Sequence, residues 1–185
     1  MATSDYCTQI APSGSGGMRC GPASCASVLL SEGWQSDPWE LTLQLDAKVD
    51  PQKDGTTSQD LLALMAGYGF AGGLWYAWDE LAQHLAAGHA VLLLNDNAYL
   101  VPRPYPAGDN WNAMHWIRLL VRSGPDAMIY TYDPLCWMQQ PSGDAYQGPT
   151  VQTEASCRLA GEATGYPEYG VFFVSPSGRD LNVGR

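Results

Sequence analysis

The sequence predicts a single α+β domain in which a mainly helical half precedes a mainly stranded half. Helical spacing of apolar residues dominates the first half of the chain, and short apolar segments separated by turn residues dominate the second. With 185 residues, 45% of them hydrophobic and only 15% charged, the chain can bury a sizeable core. We expect the domain to span residues 1–175 and residues 176–185 to form a C-terminal tail or linker.

Four helices are expected in the first half. The first follows a polar, glycine-rich loop that ends at Gly17, and it has Pro22 in its first turn and Gly33 as its stop signal. The third has an amphipathic pattern after a Thr or Ser cap. The four helices cover residues 23–30, residues 39–45, the stretch from Thr57 or Ser58 to Gly67, and residues 78–87 before Gly88.

Four strands are expected, of which the first lies between the last predicted helix and a long loop. That loop, residues 95–112, is rich in Pro, Tyr and Asn, and loops of this length in compact domains are usually functional. The turn residues 123–126 connect two strands and so predict a hairpin. The predicted strands are residues 90–94, 115–121, 128–132 and 170–174.

The charge balance limits the classes of partner. Nineteen acidic and nine basic residues give a net charge of −10, which argues against binding to nucleic acids or anionic membranes. Residues 1–10 lack the basic start and apolar centre of a signal peptide, so a cytoplasmic location is favoured, with release or secretion if the chain is part of a larger protein. The apolar run 90–94 is too short to cross a bilayer.

The cysteines point to a free thiol. Their number is odd, and neither a Cys-x-x-Cys pair nor a zinc-type cluster of Cys and His occurs, so we expect no metal site. A reduced compartment is the simpler interpretation, although one disulfide between Cys136 and Cys157 stays open. The five cysteines are Cys7, Cys20, Cys25, Cys136 and Cys157.

Cys20 is the candidate nucleophile. It follows the glycine-rich loop and precedes Gly21, Pro22 and a predicted helix, so its sulfur lies at a helix N-terminus, where the dipole favours the thiolate. The alternative is an ordinary buried cysteine at the start of a helix. Cys25, on the apolar body of the same helix, is expected in the core.

His115 is the candidate general base. Of the three histidines, His84 and His89 lie in or just after a predicted helix, whereas His115 begins a strand directly after the long loop. A four-residue hairpin loop would place position 115 opposite Pro134, and a three-residue loop would place it opposite Asp133, where a carboxylate can hold the imidazole. A bulge near Asp133 would reconcile the two registers.

Taken together, these motifs resemble the bacteriocin-processing, double-glycine-leader peptidase-like family of the papain superfamily. The resemblance covers about residues 6–174. Intervening segments match as well: Gly55-Thr56-Thr57-Ser58 before a helix, and the stretch from Leu81 to Gly88 that leads into the strand at Ala90. The motifs, in order, are Gln9, Cys20-Gly21-Pro22-Ala23-Ser24, His115-Trp116-Ile117 and Tyr132-Asp133-Pro134.

The resemblance implies a papain-like fold, in which an N-terminal helical part with the nucleophile packs on a C-terminal antiparallel sheet with the histidine and aspartate. It implies a cysteine peptidase that forms a thioester with a peptide or protein substrate through Cys20, His115 and Asp133. Gln9 would donate to the oxyanion together with the backbone N–H of Cys20. The implied chemistry requires no metal or organic cofactor.

Two departures and two alternatives qualify this implication. The segment from Gln9 to Cys20 is longer than in the leader peptidases, and no transporter segment follows, so a leader-peptide substrate is not inferred. The same triad could serve a hydrolase of peptidoglycan or isopeptide bonds. Cell walls are suggested because residues 179–183 faintly resemble the first strand of a bacterial SH3-type wall-binding domain. The other alternative is a catalytically silent peptide-binding module. Aromatic residues that could line a cleft are Tyr99, Tyr105, Trp111, Trp116 and Trp137.

Overall fold

A computed structural model describes residues 6–9, 19–49, 55–100, 114–123, 128–135, 138–139, 145–146 and 149–182. These residues form an α+β domain, as the sequence predicts. The helices are α1 (Cys20–Glu32), α2 (Pro38–Asp46), α3 (Ser58–Ala66), α4 (Glu80–Ala86), α5 (Glu154–Glu162) and a short 3₁₀ helix (Asn97–Tyr99). The strands are β1 (Ala71–Trp75), β2 (Ala90–Asp96), β3 (Met114–Ser123), β4 (Met128–Tyr132), β5 (Met138–Gln139), β6 (Ala145–Tyr146), β7 (Pro149–Thr153) and β8 (Gly170–Val174).

Six strands form one antiparallel sheet in the order β1-β8-β2-β3-β4-β7. Strands β5 and β6 form a separate two-stranded ribbon. The predicted hairpin of β3 and β4 is confirmed, although its turn, residues 124–127, lies outside the described residues. Strands β2 and β3 lie at the centre of the sheet; the start of β3 pairs with β2, and pairing with β4 begins at Arg118.

Helices cover both faces of the sheet. Alternate residues of β2 point to opposite faces, so Leu92 and Leu94 belong to one core and Val91 and Leu93 to another. Helices α1 and α3 supply the first core, and α4 and α5 supply the second. Burial on both faces explains why β2 appears in the sequence as a continuous apolar run rather than an alternating one.

The helix signals in the sequence are confirmed with small shifts. Helix α1 begins three residues before the predicted start, at Cys20, and Gly33 ends it with a left-handed φ of 112°. Thr57 caps α3 through a hydrogen bond to the Asp60 amide, and the Asp60 carboxylate accepts from the Thr57 backbone in return. The glycine-rich loop before α1 lies outside the described residues.

Five elements and part of one loop differ from the sequence-based prediction. Strands β1, β5, β6 and β7 and helix α5 lie in segments for which the sequence predicts no regular structure. The predicted loop over residues 95–112 is wrong at its start, because β2 continues through Asp96 and a 3₁₀ helix follows. Most of the rest of that loop, residues 101–112, lies outside the described residues.

Residues 176–182, expected to begin a tail or linker, pack against the domain. Leu181 is 1% exposed and belongs to the core beneath α1. Its backbone N–H donates to the Gly88 carbonyl at 2.9 Å, and the side-chain amide of Asn182 donates to the Leu85 and His89 carbonyls. Packing therefore continues past residue 175. The segment 179–182 forms no strand, unlike the wall-binding strand that it faintly resembles.

Among the residues that the structure describes, no helix is both long enough and apolar enough to cross a membrane. The longest, α1, has 13 residues, and a membrane-spanning helix needs about 20.

Candidate active site

Cys20 is the first residue of α1, as the glycine-rich approach and Pro22 predict. The first amides of a helix have no partner within the helix, and the N-cap residue Arg19 provides no side-chain hydrogen bond to them. The backbone of Gly21 hydrogen-bonds to the Cys20 thiol. The start of α1 therefore favours negative charge on the sulfur.

His115, the second residue of β3, lies against this thiol. Its imidazole hydrogen-bonds to the Cys20 side chain, and the residue is 3% exposed. In the β2–β3 ladder it pairs with Asn95, whose side-chain amide donates to the His115 carbonyl at 2.8 Å. Strand pairing on one side and helix α1 on the other thus fix the imidazole beside a sulfur that is distant in the sequence.

Asp133 holds the opposite side of the imidazole. Its Oδ1 lies 2.7 Å from His115 Nε2 and also accepts the backbone N–H of Leu135 at 2.8 Å. The carboxylate is 1% exposed. Since Nε2 faces Asp133, the other ring nitrogen is left for the thiol. This contact orients the imidazole and stabilises its protonated form.

The charges of the three groups support one another. Burial alone would raise the pKa of the Cys20 thiol, but the hydrogen bond and charge of His115 and the backbone hydrogen bonds of Trp116 and Gly21 bring that pKa below its ordinary value. Burial alone would lower the pKa of His115, but the charge of Asp133, together with hydrogen bonds to Asp133 and Cys20, raises it to about 10. Both shifts act in the same direction and favour a thiolate on Cys20 beside an imidazolium on His115.

The predicted hairpin register is wrong, although it leads to the right pair. Near the site Arg118 pairs with Tyr132, and the register shifts between Leu119 and Arg122. Continued to the site, this register puts position 115 opposite 135, not opposite 133 or 134. Asp133 lies one residue beyond the end of β4, so it reaches His115 diagonally, from the same face of the sheet.

Gln9 lies beside the segment that carries the aspartate. Its backbone N–H donates to the Pro134 carbonyl at 2.9 Å, and the residue is 3% exposed. Tyr6 donates through its hydroxyl to the Asp133 carbonyl at 2.8 Å, and its ring packs edge-on against Tyr132. The N-terminal segment 6–9 thus fixes the turn after β4. The role of Gln9 towards an oxyanion stays a prediction.

Several residues that position this site are not predicted from the sequence. No local sequence pattern marks Tyr6 as a residue of the site. The Trp116 indole donates to the Thr56 carbonyl at 2.8 Å and so links β3 to the segment before α3. Ser24 donates to the Trp116 carbonyl at 3.3 Å. Its spacing from the other two serines of α1 is a visible signal, because residues three, four and seven apart share one helix face.

Of the five aromatic residues that could line a cleft, the two that the structure describes do not form one. Trp116 is 2% exposed and belongs to the core under α1, whereas Tyr99 is 42% exposed. Tyr105, Trp111 and Trp137 lie outside the described residues. Trp116 therefore helps to pack the site rather than to line it.

The remaining described cysteines are core residues. Cys25 is fully buried, as predicted, and burial raises the pKa of its thiol far above the ordinary range. Burial, and secondarily the charge of Glu154, raises the pKa of Cys157 to about 12. Cys20, Cys25 and Cys157 have free thiols, so the disulfide considered for Cys157 is not formed. Cys136 lies outside the described residues.

His84 and His89 form a separate pair, with their Nδ1 atoms 3.1 Å apart. Both rings stack on Phe172, on the face of the sheet that α4 covers. In the part of the chain that the structure describes, no group of three or more His, Cys, Asp or Glu side chains could hold a metal ion. The ring contacts of these two histidines are with each other and with Phe172, and not with Cys20.

In this arrangement the sulfur can attack an electrophilic carbonyl carbon, and the imidazole, held by the carboxylate, can protonate the leaving group. No family model matches the chain, and a search of curated proteins finds no significant match.

Proposed function

We propose that the protein is a cysteine hydrolase that cleaves amide bonds through a thioester intermediate. One observation carries this proposal: Cys20, at a helix N-terminus, hydrogen-bonds to His115, whose Nε2 lies 2.7 Å from Asp133. The nucleophile, the base and the group that orients the base are thus joined in the order that nucleophilic catalysis requires.

In the proposed reaction the Cys20 thiolate attacks the amide carbonyl carbon, and the carbonyl electrons move onto oxygen. When this tetrahedral intermediate collapses, the C–N bond breaks and His115 gives its proton to the departing amine. The neutral imidazole then takes a proton from water as the water attacks the thioester. The second collapse breaks the C–S bond, releases the acid product and leaves the thiolate beside the imidazolium that formed as water attacked.

Gln9 and the backbone N–H of Cys20 are the proposed donors to the oxyanion. The observation that supports Gln9 is its place: its backbone binds the Pro134 carbonyl, next to the residue that orients His115. A donor in such a position typically contributes about 3 kcal/mol to transition-state stabilisation. Gln9→Ala is accordingly expected to lower kcat about 100-fold.

The substrate class comes from the resemblance rather than from the geometry. The order of Cys20, His115 and Asp133 in the chain, with the mainly helical half packed on the antiparallel sheet, supports a papain-like enzyme. A peptide or protein is therefore the proposed substrate.

Labelling of thiols provides the first test. Iodoacetamide at a pH of about 5.5 is expected to modify Cys20 rapidly, because an unperturbed thiol, with a pKa of about 8.5, is almost fully protonated there. Peptide mapping identifies the labelled residue. Cys25→Ala is the matched control, since Cys25 lies on the same helix and the pKa of its thiol is raised. This variant should keep the labelling, whereas Cys20→Ala should lose it.

Activity provides the second test. Casein, short fluorogenic peptides and purified cell walls are incubated with wild type, Cys20→Ala and His115→Ala. Cleavage of casein or peptides by wild type and the Cys25→Ala control, but not by the other two, supports a peptidase. Cleavage of cell walls without cleavage of casein or peptides identifies peptidoglycan as the substrate instead. Turnover by a folded Cys20→Ala protein, or a Cys20 thiol no more reactive in mild acid than that of a free cysteine, refutes the proposal.

A further inference from the structure

Arg118 is a buried cation on the strand that carries His115. It lies three residues after His115 in β3 and is 0% exposed. Burying a guanidinium is costly unless its donors meet acceptors with good geometry. The acceptors that Arg118 meets belong to elements far away in the sequence, so the residue joins separate parts of the fold.

Helix α1 supplies the first set of acceptors. Arg118 Nη1 donates to the Ser27 carbonyl at 2.8 Å and to Ser31 Oγ at 2.8 Å. With Ser24, which donates to the Trp116 carbonyl, these serines form a polar stripe along α1. Polar contacts of this kind have fixed geometry, whereas apolar packing tolerates sliding. The stripe therefore fixes the position of α1 along β3.

Arg118 also contacts the other elements around the site. Its guanidinium lies 5.7 Å from the ring centre of Tyr132, the residue before Asp133. Its Nη2 donates to the Leu181 carbonyl in the C-terminal segment. One side chain thus touches the helix that begins at Cys20, shares a strand with His115, and contacts the neighbour of Asp133.

We propose that Arg118 is a positioning residue, which holds α1 on β3 at the offset that brings the Cys20 thiol into hydrogen-bonding distance of His115. This inference rests on the proposed function and extends it, since nothing in the proposed chemistry requires an arginine at this place. A displacement of about 1 Å between reacting groups can cost about 100-fold in rate. A shift of α1 along β3 by about this distance is therefore enough to change the reactivity of the Cys20 thiol.

Arg179 offers a matched control. It also donates to carbonyls of α1, those of Ser31 and Glu32, but from the C-terminal segment rather than from the sheet. Arg179→Met and Arg118→Met both remove an arginine that binds α1. Only Arg118→Met removes a link between α1 and the strand of His115.

The test measures the rate of Cys20 alkylation by iodoacetamide between a pH of about 4 and about 9, with peptide mapping and circular dichroism to check the site and the fold. In Arg118→Met and Arg118→Lys the midpoint pH of the rate should rise by at least about one unit, which lowers the rate in mild acid at least about tenfold. Ser31→Ala, which removes one acceptor, should give a smaller rise. Arg179→Met should keep the wild-type midpoint even if its melting temperature falls.

Each outcome bears on a separate claim. A wild-type midpoint in the folded Arg118 variants, or an equal rise in Arg179→Met, overturns the positioning role and leaves the proposed function intact. If Arg118→Met does not fold, Arg118→Lys and Ser31→Ala decide, and a wild-type midpoint in both overturns the role. A wild-type protein with the midpoint of an ordinary thiol refutes the proposed function itself.

Discussion

Two cysteines of one helix show how far position determines the chemistry of a thiol. Cys20 and Cys25 are both buried in α1, yet the pKa of Cys20 is lowered and that of Cys25 is raised. Burial penalises the thiolate at both positions. Only Cys20 has an imidazolium and two backbone hydrogen bonds beside it, and these outweigh the penalty.

Asp133→Asn should weaken the thiolate without removing it. The asparagine keeps the size and one acceptor oxygen, but it lacks the charge that raises the pKa of His115. Protonation of His115 is then less favourable, so the Cys20 thiolate loses part of the positive charge that stabilises it. We expect alkylation of Cys20 at a pH of about 5.5 to slow about tenfold, which corresponds to a rise of about one unit in the pKa of the thiol.

The control for this prediction is Asp79→Asn, which changes an exposed carboxylate at the start of α4 that makes no side-chain capping bond. It should leave the alkylation profile unchanged. An unchanged profile in Asp133→Asn would mean that the charge of Asp133 does not act on the thiol through His115.

At the level of elements, the sequence predicts those that bury large apolar side chains and misses those that do not. Helix α5 buries the small residues Ser156, Cys157, Ala160 and Gly161, whereas its one large apolar residue, Leu159, is 49% exposed. Strand β7 is an edge strand that begins with proline and buries Thr150 and Gln152. Thr150 pairs with Thr131 through a 2.7 Å hydroxyl contact, so polar pairing replaces apolar alternation.

The candidate site was predictable in its residues but not in its geometry. The positions of Cys20 at a helix start and of His115 at a strand start follow from local signals. The diagonal contact with Asp133 does not, because the register shift between Leu119 and Arg122 depends on packing that the hairpin sequence does not encode. The contact from Tyr6 joins residues 127 positions apart and leaves no local pattern.

Gly21→Ala should separate α1 from the segment before α3. A Cβ added at position 21 would lie 2.9 Å from Thr56 Cβ and 3.0 Å from Leu61 Cδ2. One of these segments must move, at a cost of about 1–3 kcal/mol in the free energy of unfolding. Since Cys20 precedes the substituted residue, its alkylation in mild acid should slow as well.

Urea denaturation measures the first effect, and labelling with iodoacetamide measures the second. Gln83→Ala, which changes an exposed side chain of α4, is the control and should change neither quantity. A stable, fully reactive Gly21→Ala protein would contradict the view that α1 is packed too closely on residues 56–61 to move.

At the level of the whole molecule, the site joins parts of the chain that are distant in sequence. The segment 6–9, the start of α1, the start of β3 and the end of β4 meet there, and Leu181 lies in the same core as α1. Folding of the whole domain is therefore needed before thiol, imidazole and carboxylate meet. Their pKa shifts are in turn properties of the folded state and affect its stability.

The two shifts act on stability in opposite pH ranges. The pKa of His115 is raised to about 10, so its contribution is complete below the unfolded value of ~6.5 and is lost as the pH rises through about 10. The pKa of Cys20 is lowered, so its contribution is complete above the unfolded value of ~8.5 and is lost as the pH falls through the folded value. A folded thiolate–imidazolium pair binds one proton, and between ~6.5 and ~8.5 the unfolded pair, a neutral thiol with a neutral imidazole, also binds one.

Cys20→Ala should therefore change the slope of stability against pH between ~6.5 and ~8.5. A thiolate–imidazolium pair in wild type contributes no slope there. In the variant Asp133 still favours the imidazolium, whereas the unfolded chain has a neutral imidazole, so stability should fall by up to ~1.4 kcal/mol per pH unit relative to wild type. Urea unfolding of both proteins at three pH values across this range measures the difference, and other titrating groups cancel. Parallel profiles would show that His115 is uncharged in the folded variant, and that the Cys20 thiolate, not Asp133, holds its proton in wild type.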